Sequence, residues 1–302
     1  MLARLQQLIV AGLLLAAGSW LYWSRGQPGW VVVAGLLLLG LGHAVFLAFE
    51  FALVHWANRR DAAPRAGPWM LVRAWMTESW VALRVFLWQQ PLRSNAWPDN
   101  LQPDAAGRRG IVFIAGFVCN RGLWNPWLAR LRRERRVFCA VNLEPVFGSI
   151  DDYVHTIDAA VRRVADATGM PPLLVCHSMG GLAARAWLRA YAADARVCGV
   201  VTIGTPHHGT WPARFSHVPN GRQMRMASDW LAQLALNEPA ARAALFTCFY
   251  SNCDNIVFPA SGATLAGADN RFVPGVPHVA LAFDPGVIGQ VLALGAPQWP
   301  PV

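Results

Sequence analysis

Ser178 is the residue of this chain best placed to act as a nucleophile. An apolar run, Leu173-Leu174-Val175-Cys176, stops at His177-Ser178-Met179-Gly180-Gly181, and a helix-like pattern begins. A serine in so tight a strand-to-helix turn stands clear of the sheet edge. The helix N-terminus behind it favours the negative charge that nucleophilic attack develops. The turn needs small neighbours, and Cys176 and Gly180 supply them. A serine hydroxyl attacks only when a base takes its proton. An imidazole can do that near neutrality and return the proton to a leaving group, while a carboxylate fixes its tautomer.

Both partners are found downstream. Asp254 heads the polar turn Asp254-Asn255-Ile256-Val257-Phe258-Pro259 after an apolar run, where a strand's carboxyl end should lie. His278 follows Pro277 in a loop before a final apolar stretch. Asp229 and Asp269 are the substitute acids. Asp229, after Ser228, reads better as support for a helix N-terminus, and Asp269 as part of a turn. His177 precedes the serine, so its side chain is expected to point away from the site.

These three segments, in this order, resemble the α/β-hydrolase superfamily, and more narrowly its bacterial lipase-like members. The resemblance runs from about residue 109 to 294. It implies a mostly parallel sheet with helices on both faces and a Ser178-Asp254-His278 triad. It also implies an oxyanion hole made by the backbone N–H groups of Met179 and Phe117. Phe117 follows the strand-like Ile111-Val112-Phe113-Ile114, with Ala115 where the superfamily commonly has histidine, just as Cys176 stands where it commonly has glycine. Thr205-Pro206-His207-His208-Gly209 resembles a pocket-side loop, which makes His207 and His208 candidates for substrate binding. The expected substrate is a carboxylic ester with an acyl chain. An acyltransferase or thioesterase on the same triad is one alternative, and a catalytically silent membrane scaffold another. No cofactor is expected, and the histidine pair has no third ligand at metal spacing.

The elements that position these groups read as strands at 110–114, 137–141, 173–176, 197–203 and 245–250. Helices read at 124–133, 150–168, 179–192 and 285–294, an alternation that points to α/β architecture. Ser149 with Asp152 reads as a capping box, and Gly169 as a helix stop. The interval 205–244 is long for a connection, and the resemblance implies that it caps the site, with apolar residues such as Trp211, Phe215 and Trp230 as its lining.

The hydrolase-like part, 108–302, follows two other segments. Residues 5–23 and 30–54 are apolar and about long enough to cross a bilayer, with Trp20, Trp23 and Trp30 near a short connector. Residues 1–58 therefore read as a transmembrane hairpin that anchors the chain to membrane lipids. A cleaved signal peptide is the rival, but a second span follows at once and no clear cleavage site precedes Trp20. His43 and Glu50 share a face of the second span, where packing against the first is expected. Residues 59–107 read as an interfacial amphipathic stretch, or one packed on the hydrolase, ending in a linker at 95–107.

Arg4, Arg59, Arg60, Arg65 and Arg73 flank the hairpin's ends, against Arg25 alone in its connector. The positive-inside bias then puts the catalytic part on the cytoplasmic side of a bacterial inner membrane. Six cysteines without framework spacing fit a reducing compartment, although a Cys248–Cys253 pair would fit the periplasm. The net charge of +9 rests on 26 basic residues, all arginine. They are densest at 130–136, and with no accompanying nucleic-acid motif they suit a solvated helix end or anionic lipid headgroups.

Overall fold

A computed structural model of the chain describes residues 1–101 and 108–295. Helices α1 (Leu2–Trp23) and α2 (Gly29–Ala57) form a hairpin, and α3 (Pro68–Ala82) runs through a π-helical segment (Leu83–Gln89) into α4 (Gln90–Arg93). There follow β1 (Ile111–Ile114), α5 (Asn125–Arg133), β2 (Phe138–Val141), α6 (Val154–Thr168), β3 (Leu173–His177) and α7 (Met179–Tyr191). The chain continues through β4 (Gly199–Ile203), α8 (Pro219–Gln223), α9 (Asp229–Leu236), β5 (Phe246–Tyr250), β6 (Asp269–Phe272), α10 (His278–Leu281) and α11 (Pro285–Leu294).

The six strands form one parallel sheet in the order β2-β1-β3-β4-β5-β6. Both faces are covered, so the central strands are continuously apolar rather than alternating. Ile114, Leu174 and Cys176 join one core with α6 and α7, including Val161, Leu182 and Trp187. Ile111, Phe113 and Val175 join another with Trp127 and Leu131 of α5 and Val287 of α11. The chain reverses direction across the sheet between β1 and β3, whose carboxyl ends therefore open a crevice, the usual place for a site in such sheets.

The expected elements are present within a few residues at their ends. Ser149 and Asp152 make the capping box, and Gly169 ends α6 with φ 68°. The strand not anticipated is β6, whose Asp269-Asn270-Arg271-Phe272 has no apolar periodicity. It is an exposed edge paired only with β5, so backbone hydrogen bonding rather than side-chain burial holds it.

Both helices of the hairpin are long and apolar enough to cross a membrane, and only 6% of each apolar window is buried in the protein. Trp20 packs flat into the gap at Gly35 and donates its indole N–H to Val32 O at 3.0 Å. The next segment presents two faces. Leu71, Ala74, Glu78 and Val85 are buried, whereas Trp69, Met76, Trp80 and Trp88 are exposed. Of the expected linker, 102–107 lies outside the described residues. Before it, Asn100 bridges Phe138 of β2, and Asp99 pairs with Arg121 at 2.9 Å. Cys248 and Cys253 are free thiols buried in different apolar clusters.

Candidate active site

Ser178 sits between β3 and α7 with φ 55° and ψ −130°, so the strain of the turn falls on the serine itself. Cys176 is not the strained position. It stays in the β3 ladder opposite Thr202 and Ile114, with its side chain in the core. The glycine after the elbow has a steric task, since a Cβ at Gly180 would lie 2.5 Å from Ile114 O. Helix α7 can approach β1 only because that Cβ is missing.

Asp254 and His278 stand on the loops after β5 and β6, and His278 lines one pocket with Ser178. His278 Nδ1–H donates to Asp254 Oδ2 at 2.8 Å, and both side chains are buried. The other carboxylate oxygen, Oδ1, accepts the N–H groups of Ile256 (2.9 Å) and Val257 (2.6 Å). The Asp-x-x-Val turn thus holds the carboxylate by its own backbone, leaving one oxygen aimed at the imidazole. Asp229 and Asp269 are not part of this group. Asp229 opens α9 after its Ser228 cap, and Asp269 pairs with Arg271 at the sheet edge.

The loop after β1 reaches the same point. A Cβ on Gly116 would lie 2.6 Å from Ser178 Cβ and 3.1 Å from Met179 N, so the loop lies directly against the elbow. Cys119 N–H bonds Gly116 O across this turn, and Val118 takes φ 53°. Phe117, the residue after Gly116, lines the same pocket as Ser178, and Met179 follows the serine at the start of α7. Burial pushes the neighbouring Cys119 thiol up to about 12, against a weaker opposing hydrogen bond from Gln90, so it stays a neutral thiol.

A pocket of about 200 Å³ contains Ser178 and His278. Its roof is formed by Leu47 and Glu50 of α2 with Glu78, Ala82 and Phe86 of the α3 segment. No residue of 205–244 lines it, so the expected cap lies elsewhere. His207 and His208 are also elsewhere. They line a separate cavity of about 690 Å³ with Arg185 and Leu231, and buried His207 bonds Thr202 Oγ1 through Nε2 at 3.1 Å.

What α2 and α3 contribute is not visible in the sequence. Glu78 accepts the N–H groups of Val279 (2.8 Å) and Ala280 (3.2 Å), the two residues after His278. Glu50 accepts from Asn255 Nδ2 at 2.7 Å, and Asn255 Oδ1 in turn accepts His278 N–H at 3.3 Å. His43 reaches Ser79 O at 3.1 Å on α3. A Glu inside an apolar stretch was the available signal, but its partners lie some two hundred residues away.

His177 was also misplaced by the sequence. Strand alternation puts it on the face opposite Cys176, which is the face that carries α10. Its ring lies 4.7 Å from that of His278, and its Nε2–H donates to His278 O at 3.1 Å. Burial, aided by the charge of His278, pushes His177 down to about 3, so it stays neutral. Burial alone would also depress His278. The charge and hydrogen bond of Asp254, with smaller help from Glu78 and Glu50, outweigh it and hold His278 above its ordinary value. Burial raises Glu78 to about 7 against the pull of its two N–H donors.

No family model and no curated protein matches the chain. Solved structures do. The lipase of Bacillus licheniformis in its mature form superposes with a TM-score of 0.55 at 16% identity, over 63% of this chain and 93% of that one. The fold is the α/β-hydrolase fold. The propeptide form of the same lipase gives a TM-score of 0.56 at 17% identity, over 67% of this chain and 53% of that one. Aspergillus fumigatus lipase B gives 0.50 at 18% identity over 57% of this chain, which spans 46% of that lipase's length. At these identities the likeness is one of fold alone, and a shared fold does not carry a shared chemistry.

Proposed function

We propose that this chain is a membrane-anchored serine hydrolase that cleaves carboxylic esters, of the lipase or esterase type. The observation that carries the reading is the 2.8 Å His278 Nδ1–Asp254 Oδ2 hydrogen bond in the same pocket as a positive-φ Ser178. His278 Nε2 takes the proton of Ser178 Oγ as that oxygen attacks the ester carbonyl carbon. The N–H groups of Phe117 and Met179 stabilise the oxyanion. Collapse breaks the bond to the leaving alcohol, which receives the proton from His278. Water then attacks the acyl carbon and gives a proton to His278, and as the bond to Ser178 Oγ breaks His278 passes that proton to Oγ, releasing the carboxylic acid and the free serine. Asp254 keeps the imidazole in the tautomer that accepts at Nε2.

The two apolar helices serve as the anchor to membrane lipids. The excess of arginine beside their free ends favours the cytoplasmic face of a bacterial inner membrane for the hydrolase. The test is hydrolysis of nitrophenyl esters from two to sixteen carbons by the full chain in detergent, beside Ser178→Ala. Turnover lost in the variant supports the reading. Equal turnover in both, or none in either, overturns it.

A further inference from the structure

The roof of the Ser178 pocket separates it from a neighbouring cavity. Ala82 and Phe86 also form walls of a second cavity, of about 490 Å³, enclosed by α1, α2 and the π-helical segment. Its other walls are almost entirely aliphatic, with Leu14 and Ala17 on α1, Leu36 and Leu39 on α2, and Leu83 and Leu87 on the π-helical segment. The one titratable wall residue, His43, has both ring nitrogens on backbone oxygens, of Gly40 and Ser79, each at 3.1 Å. The groove therefore offers almost no polar group to a headgroup. Its floor is open at Gly40, where an added Cβ would meet nothing within 4 Å.

We propose that this groove holds the acyl chain of a membrane-resident ester lipid whose carbonyl lies at Ser178, an inference that rests on the ester-hydrolase reading above. Three features favour that occupant. First, the groove lies within helices long and apolar enough to cross a membrane, and their flanks beside it, such as Leu15 and Leu38, are exposed. Second, Glu50 at the pocket and Leu36 at the far end of the groove are separated by about 21 Å of helix at 1.5 Å per residue. A hydrocarbon core of about 30 Å leaves about 15 Å for the chains of one leaflet, so pocket and groove together match the length of a whole tail. Third, a π-helical segment supplies the wall common to groove and pocket, and such segments cluster at functional sites. The lipid then enters sideways from the bilayer, and its tail exchanges one apolar environment for another. Tail length becomes the property that the groove measures.

The experiment uses the full chain in detergent and an alkyl fluorophosphonate with a sixteen-carbon tail ending in a diazirine. Once the phosphonate is on Ser178, irradiation reports where the tail lies. The groove predicts crosslinks to α1, to α2 around Leu36–Leu39, and to Leu83–Leu87. Crosslinks to the His207–Leu231 cavity, or to detergent alone, would overturn it. Absence of any phosphonate on Ser178 would overturn the ester-hydrolase reading and this inference with it. As a second measurement, Gly40→Trp and Ala17→Trp fill the groove from two different helices. Both should turn over two-carbon esters as wild type does and lose about tenfold or more on sixteen-carbon esters, since each buried methylene counts. Unchanged long-chain turnover in both variants, or equal loss at every chain length, contradicts the groove.

Discussion

The carboxylate of Glu78, carried by a helix outside the sheet, accepts the backbone N–H of Val279, the residue after His278, at 2.8 Å. Its second oxygen takes the next N–H, that of Ala280. The imidazole that serves as base in the proposed mechanism is thus fixed from one side by Asp254 and, through its own backbone, by the segment that follows the hairpin.

Glu78 should make stability fall with rising pH. Its proton is held more tightly in the folded chain, at about 7, than in the unfolded one, at 4.5. The stabilising contribution is therefore complete below pH 4.5 and is lost as pH rises through about 7. At about 1.4 kcal/mol per pH unit this amounts to about 3–4 kcal/mol. Thermal unfolding of the full chain in detergent between pH 4.5 and 8 should show the decline in wild type. Glu78→Gln should flatten it. A wild-type slope retained in the variant would contradict this assignment.

The same carboxylate bears on activity. His278 is held above its ordinary value, so the acidic limb of kcat/KM should lie above about 6.5. Glu78→Gln removes negative charge near the imidazole and should move that limb to lower pH. A limb that stays put, or moves up, would show that Glu78 does not act on His278.

His177→Phe separates support from charge. His177 is neutral through the working range, so its loss should leave the acidic limb in place. It does remove the donor to His278 O, and a buried carbonyl without a partner costs about 1–3 kcal/mol. The unfolding midpoint should fall accordingly. A limb shifted with stability unchanged would be the opposite of what this geometry requires.

Gly116→Ala tests the approach of the β1 loop. The new Cβ would meet Ser178 Cβ at 2.6 Å, so the loop must retreat and carry Phe117 N–H with it. Loss of one such donor costs about 10²–10³ in kcat. A variant with undiminished kcat would remove Phe117 from the oxyanion hole.

The sheet and the elbow were legible in the sequence because local patterns encode them. Leu173–Cys176 is apolar and β-branched in part, Gly180-Gly181 marks the close approach, and Asp254 carries its own turn. What the sequence did not reveal depends on distant contacts. Glu50 and Glu78 look like isolated charges in apolar helices until Asn255 and Val279 are brought beside them. His207 and His208 occupy a loop that resembles a pocket wall, but His207 is drawn to Thr202 and Cys248 instead. Residues 205–244 had the composition of a cap, and yet Leu47 and Phe86 cover Ser178, because hydrophobicity alone cannot say which apolar segment packs on which opening.

The most direct test of the central claim is labelling of the full chain by a short alkyl fluorophosphonate, with the modified peptide found by mass spectrometry. An activated serine predicts one phosphonate on Ser178, none on Ser178→Ala, and a rate slowed by about 10³ or more in His278→Ala. No label on wild type, or labelling of Ser178 that His278→Ala leaves equally fast, would contradict it.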